Sequence, residues 1–199
     1  MKLGVMGGTF DPVHYGHLVT AEGARYDYRL DKVVFVPAGR PPHKSNYQIS
    51  DPEHRLALTR LAVASNPFFE VSDLEIKRPG PSYTYDTIME MRRLYAPEEI
   101  FFITGVDTAL EILSWHRYEE LLALCRFIAA TRPGYNLDNL ARRLKMMPAP
   151  LASRILTLEV PALAISSSDI RRRVREGRPI KYLLPESVEA YIARHDLYR

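Results

Sequence analysis

Apolar positions along the chain follow two rhythms. In some short runs nearly every residue is apolar: Leu3-Gly4-Val5-Met6, Lys32-Val33-Val34-Phe35-Val36, Ile100-Phe101-Phe102-Ile103-Thr104, Arg126-Phe127-Ile128-Ala129-Ala130 and Ile155-Leu156-Thr157-Leu158-Glu159-Val160. Such runs predict strands buried on both faces. Residues 69–76 alternate instead, which predicts an edge or half-exposed strand. Between the strands the spacing turns helical. Helices are predicted over 16–28, from Asp51-Pro52 onward, and over 84–95, 137–146, 170–175 and 185–194. Asp51 reads as an N-cap and Pro52 as the first helical residue, ahead of an apolar side carrying Leu56, Leu58, Leu61 and Ala62. Ile88, Met91 and Leu94 line the helix over 84–95.

Strands alternating with helices predict an α/β fold, a Rossmann-like, doubly wound, mostly parallel sheet with helices on both faces. Its length predicts a single domain over 1–199, with a C-terminal helical part from about 166 to 199. Ligands of such folds bind at the carboxyl ends of the strands.

Composition changes this little. Hydrophobic residues make up 46% and charged residues 26%, a globular balance. No apolar run approaches the roughly 20 residues that span a bilayer, so no membrane partner is expected. The first eight residues read as a strand entering a loop rather than as a signal peptide. Cys125 is the only cysteine, which excludes an intrachain disulfide and a multi-cysteine metal site. A cytoplasmic enzyme fits, and a homo-oligomer is compatible with the sequence. A net charge of +3 and a pI near 9.0 could serve nucleic acid or small polyanions equally.

The distribution of candidate chemistry favours the small polyanion. Gly7-Gly8-Thr9-Phe10-Asp11-Pro12-Val13-His14-Tyr15-Gly16-His17 follows the first strand and opens a helix. Glycines let a backbone approach a ligand and present its N–H groups. His14 and His17, three apart, can share a side where the helix N-terminus favours anions. A metal pair is the weaker reading, because no third ligand of clear spacing stands nearby. Neither the Walker pattern nor the dinucleotide glycine fingerprint is present.

Gly8 to His17 resembles a signature of the nucleotidylyltransferase superfamily, His14-Tyr15-Gly16-His17 matching its His-x-Gly-His element. Ile165-Ser166-Ser167-Ser168-Asp169-Ile170-Arg171 resembles the second signature. Ser166 and Asp169 have capping-box-like spacing, with Ser167 or Ser168 as alternative caps. Arg171, Arg172 and Arg173 are expected to crowd the first turn of that helix, where cations oppose the dipole unless an anion is bound. The motif assigns Arg171 to the ATP phosphates; Arg172 and Arg173 read as a solvated basic face. Pro41-Pro42-His43-Lys44 matches a further element, which implies that Lys44 also meets phosphate.

The middle of the chain narrows the resemblance to the bacterial nicotinate-mononucleotide adenylyltransferases. It is carried by Ser82-Tyr83-Thr84-Tyr85-Asp86-Thr87, Gly105-Val106-Asp107, Trp115-His116, Arg132-Pro133-Gly134-Tyr135 and Lys181-Tyr182-Leu183-Leu184-Pro185. The resemblance implies that Trp115 stacks on the pyridine ring, with Thr84, Tyr85 and His116 beside it. It implies that Gly105, Asp107 and Arg132 flank adenosine, that Gly7 and Ile165 to Ser168 join the ATP site, and that Gly8, Thr9 and Phe10 face both substrates. His116 stands where the family often has Tyr.

The implied reaction joins nicotinate mononucleotide to the AMP part of ATP and releases pyrophosphate, as a step of NAD biosynthesis. The attacking group is the mononucleotide's own phosphate, largely dianionic at neutral pH, so no side-chain nucleophile or general base is needed. His14, His17, Lys44, Arg171 and the backbone of residues 7–10 are expected to supply positive charge and donors. Mg²⁺ is expected to ride on ATP with little protein ligation. The rivals are pantetheine-phosphate adenylyl transfer, which shares both phosphate signatures, and a non-catalytic nucleotide sensor or RNA-binding module. A tRNA synthetase is excluded, since no Lys-Met-Ser-Lys-Ser-like loop or anticodon-binding domain fits the length.

Overall fold

The computed structural model describes residues 1–41 and 49–199. Along the chain run β1 (Lys2–Gly8), α1 (Tyr15–Asp27), β2 (Lys32–Pro37), α2 (Pro52–Val63), β3 (Phe69–Val71), α3 (Leu74–Lys77), α4 (Thr84–Tyr95) and β4 (Glu99–Gly105). There follow α5 (Val106–Ala109), a 3-10 turn (Ile112–Ser114), α6 (Tyr118–Leu124), β5 (Arg126–Thr131), α7 (Asp138–Lys145), α8 (Ala149–Ala152), β6 (Ile155–Glu159), α9 (Ser167–Arg175) and α10 (Glu186–Arg194).

The strands form one six-stranded sheet in the order β3-β2-β1-β4-β5-β6. This is the doubly wound order, whose reversal at β1 sends the connections to opposite faces. β1, β4, β5 and β6 run parallel, with Val5 opposite Phe102, Phe102 opposite Phe127 and Phe127 opposite Ile155. Leu3, Val5, Val33 to Val36, Ile103, Phe127 and Ile128 are fully buried, as continuous apolar runs require.

Two compact units divide the chain. The first holds Met1–Gly7, Thr20–Val34 and Tyr83–Ala162; the second holds Gly8–Val19, Phe35–Ser82 and Leu163–Arg199. In the first, Arg92 of α4 donates to the Leu124 carbonyl at the end of α6 at 3.1 Å. In the second, α10 packs on α2, where Tyr191 meets His54 at 3.0 Å and Ser187 donates to the Leu61 carbonyl.

Several predicted elements differ in detail. The strand expected over 69–76 stops at Val71, and Leu74–Lys77 turns into a helix. Glu75 is the buried residue of that stretch and lies within electrostatic reach of the Arg55 guanidinium. Leu61 and Leu94, expected on apolar sides, are 36% and 53% exposed. Helix α9 begins at Ser167, three residues before the predicted start, so Arg171 lies in the second turn and Arg172 and Arg173 approach the last. The dipole penalty expected of three first-turn arginines therefore does not arise. Asp51 caps α2 as predicted, its carboxylate accepting from the Glu53 N–H at 2.9 Å. α5, α6, α8 and the 3-10 turn carry too few residues for a periodic signal.

Candidate active site

The second unit carries the loop that leaves β1. It passes through Thr9, Phe10 and a cis Asp11–Pro12 peptide into α1. Phe10 is buried with φ 49, a left-handed value unusual for a residue with a side chain. Its ring meets His17 edge-on at 5.1 Å and Phe35 at 5.8 Å. That ring is why Gly8 is glycine: a Cβ there would lie 2.8 Å from Phe10 Cε1. In the first unit, a Cβ on Gly7 would come within 3.1 Å of the Phe102 ring. Side-chain packing, rather than a positive φ, thus accounts for both glycines.

His14 and His17 stack at 3.8 Å with an interplanar angle of 28°. His17 Nδ1 accepts the His14 main-chain N–H at 3.3 Å, which leaves the His17 proton on Nε2. His14 is 6% exposed, and its Nδ1 is buried without a hydrogen-bond partner among the described residues. Burial lowers its pKa from 6.5 to about 4, so the ring is neutral at pH 7. His14 is then a neutral donor or acceptor rather than a fixed cation. Gly16 must stay small beneath it, since a Cβ would fall 3.0 Å from the His14 ring. One N–H at the start of α1 is already engaged, Tyr15 donating to the Leu183 carbonyl at 3.1 Å.

The same unit brings the second signature to this loop. Ser166 caps α9, its hydroxyl accepting from the Asp169 N–H at 3.1 Å. The Asp169 carboxylate does not complete a capping box; it pairs with Arg172 and with Arg173, the latter at 2.6 Å. Ser167 Oγ donates to the Pro12 carbonyl at 2.8 Å. Arg171 is buried, donates to the Asp11 carbonyl and reaches Ser168 Oγ at 3.2 Å. It thus grips the loop itself, while Arg172 stands exposed and Arg173 half-buried. Ile165 is half-buried, its carbonyl facing Gly16.

Sequence reasoning missed a polar layer in this unit. Arg55 is 1% exposed and hydrogen-bonded to three carbonyls, Glu75 is buried, and half-buried Tyr198 keeps its hydroxyl out of solvent. The available signal was the place of Arg55 directly before Leu56 on the inward side of α2.

The first unit carries the remaining residues. Thr84 opens α4, and Tyr83, the N-cap, offers no side-chain cap. The Tyr83 ring stacks on exposed His116 at 4.5 Å, and the Arg117 guanidinium lies 3.8 Å from the centre of the Tyr85 ring. Trp115 is half-buried, meeting Phe102 and Phe127 edge-on at 5.9 and 5.7 Å. Gly105 precedes α5, whose exposed Asp107 accepts from the Tyr135 hydroxyl at 3.0 Å. Arg132 is exposed just past β5. Lys44 lies outside the described residues. Among the described residues no three His, Cys, Asp or Glu side chains group as a metal site, and no helix is long and apolar enough to cross a membrane.

A parallel sheet with a histidine pair and a capped serine-arginine helix at one loop defines a nucleotidyltransferase-like class, and residues 5–173 match the cytidylyltransferase-like family. A "Probable nicotinate-nucleotide adenylyltransferase" of Moorella thermoacetica is 58% identical over 100% of this chain and 92% of its own length. One of the same name from Thermoanaerobacter sp. is 54% identical over 100% of this chain and 95% of its own. The chain belongs to the nicotinate-nucleotide adenylyltransferase family. Its fold is shared with a solved Plasmodium falciparum nicotinic acid mononucleotide adenylyltransferase complexed with NaAD, at TM-score 0.78, 22% identity and coverage of 99% and 97%.

Proposed function

We propose that the protein transfers the adenylyl group of ATP to nicotinate mononucleotide, forming nicotinate adenine dinucleotide and pyrophosphate. The mononucleotide phosphate attacks the ATP α-phosphorus. A new P–O bond forms as the bond to the β,γ-diphosphate breaks, and the leaving group departs as pyrophosphate. The observation that carries the reading is the pairing of His14 and His17 at the start of α1 in a loop held by Ser167 and Arg171.

Catalysis by positioning and charge fits these groups. His17 presents an Nε2–H donor, fixed by the bond its Nδ1 accepts. His14, neutral and buried, is a donor or acceptor rather than a fixed cation. A triphosphate beside it would favour its protonation, since an opposite charge supports the charged form. Arg171, Lys44 and the N–H groups of residues 7–10 complete the phosphate set. ATP enters as its Mg²⁺ complex, the metal held on the phosphates with little protein ligation. Asp107 and Arg132 are assigned to adenosine, and Trp115, Thr84, Tyr85 and His116 to the nicotinate part. Action in the cytoplasm belongs to the same reading.

Incubating the purified protein with Mg·ATP and nicotinate mononucleotide tests this, with chromatography of the dinucleotide and assay of pyrophosphate. A parallel arm offers phosphopantetheine in place of the mononucleotide. Dinucleotide formation only with the pyridine substrate is expected. Product only in the parallel arm moves the protein to the other transferase, and no product in either overturns the reading.

A further inference from the structure

Behind the β1–α1 loop lies the buried guanidinium of Arg55. Arg55 Nε donates to the Ser50 carbonyl at 2.9 Å, Nη1 to the Thr9 carbonyl at 2.8 Å and Nη2 to the Gly39 carbonyl at 3.4 Å. The three carbonyls come from three stretches: the loop itself, the exit of β2 and the approach to α2. Gly39 is pressed into place, since a Cβ there would lie 2.1 Å from the Glu75 carbonyl oxygen. Burial pulls the Arg55 pKa down, and Asp11 is foremost among the neighbours that hold the charge. A planar fork of five donors can serve three divergent carbonyls; a lysine ammonium on a single stem cannot.

The contact with Thr9 has a geometric consequence. In a trans peptide the C=O of one residue and the N–H of the next point in opposite directions. Drawing the Thr9 carbonyl onto Arg55 therefore turns the Phe10 N–H the other way. Asp11, next along, is held from the same side. Its Oδ2 accepts the Ser50 N–H at 3.4 Å, and the Tyr198 hydroxyl, itself shielded from solvent, lies within its electrostatic reach. Burial first, and the Asp11 carboxylate next, push the Tyr198 phenol above its ordinary range, so it stays protonated. Tyr198 and Asp196 reach this placement with φ 69 and 51, left-handed values that side chains seldom adopt.

We infer that Arg55 is the positioning residue for the transfer, setting the Thr9–Phe10 peptide plane with the buried Tyr198 hydroxyl backing the Asp11 end, so that the loop offers its donors to phosphate in one arrangement. The inference rests on the adenylyl-transfer reading above.

Arg55→Ala, Arg55→Lys and Tyr198→Phe test it, each measured for Tm, for Mg·ATP affinity by calorimetry without the mononucleotide, and for kcat well below Tm. Displacing donors from a pre-set geometry is expected to lower kcat about 30- to 100-fold in Arg55→Ala, with Arg55→Lys recovering part. Affinity for Mg·ATP should fall about tenfold. Tyr198→Phe removes one hydroxyl and should keep Tm within a few degrees while kcat falls about three- to tenfold. Parental kcat and affinity in folded Arg55→Lys and Tyr198→Phe would overturn the inference, as would a loss that vanishes on cooling and so tracks Tm alone. If the Arg55 variants do not fold, Tyr198→Phe decides by the same readouts. If the parent makes no dinucleotide, the transfer reading falls, and unchanged Mg·ATP affinity in the variants overturns this inference separately.

Discussion

His17 Nδ1 accepts the main-chain N–H of His14, and the two rings stack at 3.8 Å. The hydrogen bond fixes the tautomer of His17 and aims Nε2–H away from the backbone. His17→Ala removes that donor without opening the core, because His17 is only half-buried. Turnover should fall at least about a hundredfold, the scale of losing one transition-state donor, with circular dichroism and Tm close to parental. Near-normal kcat in the folded variant would remove His17 from the chemistry.

The neutral state of His14 makes stability depend on pH. Its pKa is about 4 in the folded protein against 6.5 unfolded, so between these values the unfolded chain binds more protons. The contribution is fully present above pH 6.5 and is lost as pH falls toward about 4, amounting to about 3 kcal/mol. Urea midpoints should drop over that window in the parent, and His14→Gln should flatten the slope. An equal slope in the variant would show that other groups govern it.

Arg171 and Arg173 sit on the same helix with opposite surroundings. Arg171 is buried on the Asp11 carbonyl, whereas Arg173 pairs with Asp169 at 2.6 Å, partly open to solvent. Arg171→Ala should raise KM for ATP and also lower Tm, since the loop loses its anchor. Arg173→Ala should shift neither by much, as surface pairs contribute about 0–1 kcal/mol. Equal changes in KM for the two variants would mean that Arg171 is not the arginine that serves ATP.

Gly8 gives a steric prediction. The Phe10 ring that its Cβ would strike is hemmed in by His17 and Phe35. Gly8→Ala should therefore destabilise the fold by about 1–3 kcal/mol, the cost of overpacking, and lower kcat/KM by shifting the loop. Thermal unfolding and kinetics of this one variant check both; an unaltered Tm would show that Phe10 can yield.

The strand pattern and both signatures were legible because each depends on local sequence. Five continuous apolar runs became β1, β2, β4, β5 and β6, and Asp51 and Ser166 became caps where hydroxyl or carboxylate met a helix start. Arg55, Glu75 and Tyr198 were not legible, because single charged or polar residues are ordinarily solvated and only the folded chain sets them against Thr9, Gly39 and Asp11. Residues 69–76 misled because alternation does not show where a strand ends, and Leu74–Lys77 turns helical instead. The neutrality of His14 likewise follows from burial, which its place in a motif does not reveal.

The last prediction concerns the pyridine substituent. The nicotinate and nicotinamide forms of the mononucleotide differ by a carboxylate against a neutral amide. Thr84 opens a helix of 12 residues whose N-cap, Tyr83, contributes no side-chain hydrogen bond. A helix start without such a cap offers N–H donors and partial positive charge, which favour the carboxylate. An amide turning its NH₂ toward those donors leaves them unpaired, costing about 1–3 kcal/mol, or roughly ten- to hundredfold in kcat/KM. Trp115, half-buried against Phe102 and Phe127, offers both flat rings the same surface. Trp115→Ala should therefore weaken both substrates together, while Thr84→Pro, which fits the first helical position but removes its N–H donor, should erode the preference itself. Measuring kcat/KM for both mononucleotides decides the assignment. An equal or higher value for the nicotinamide form would overturn the substrate preference and leave the adenylyl transfer standing.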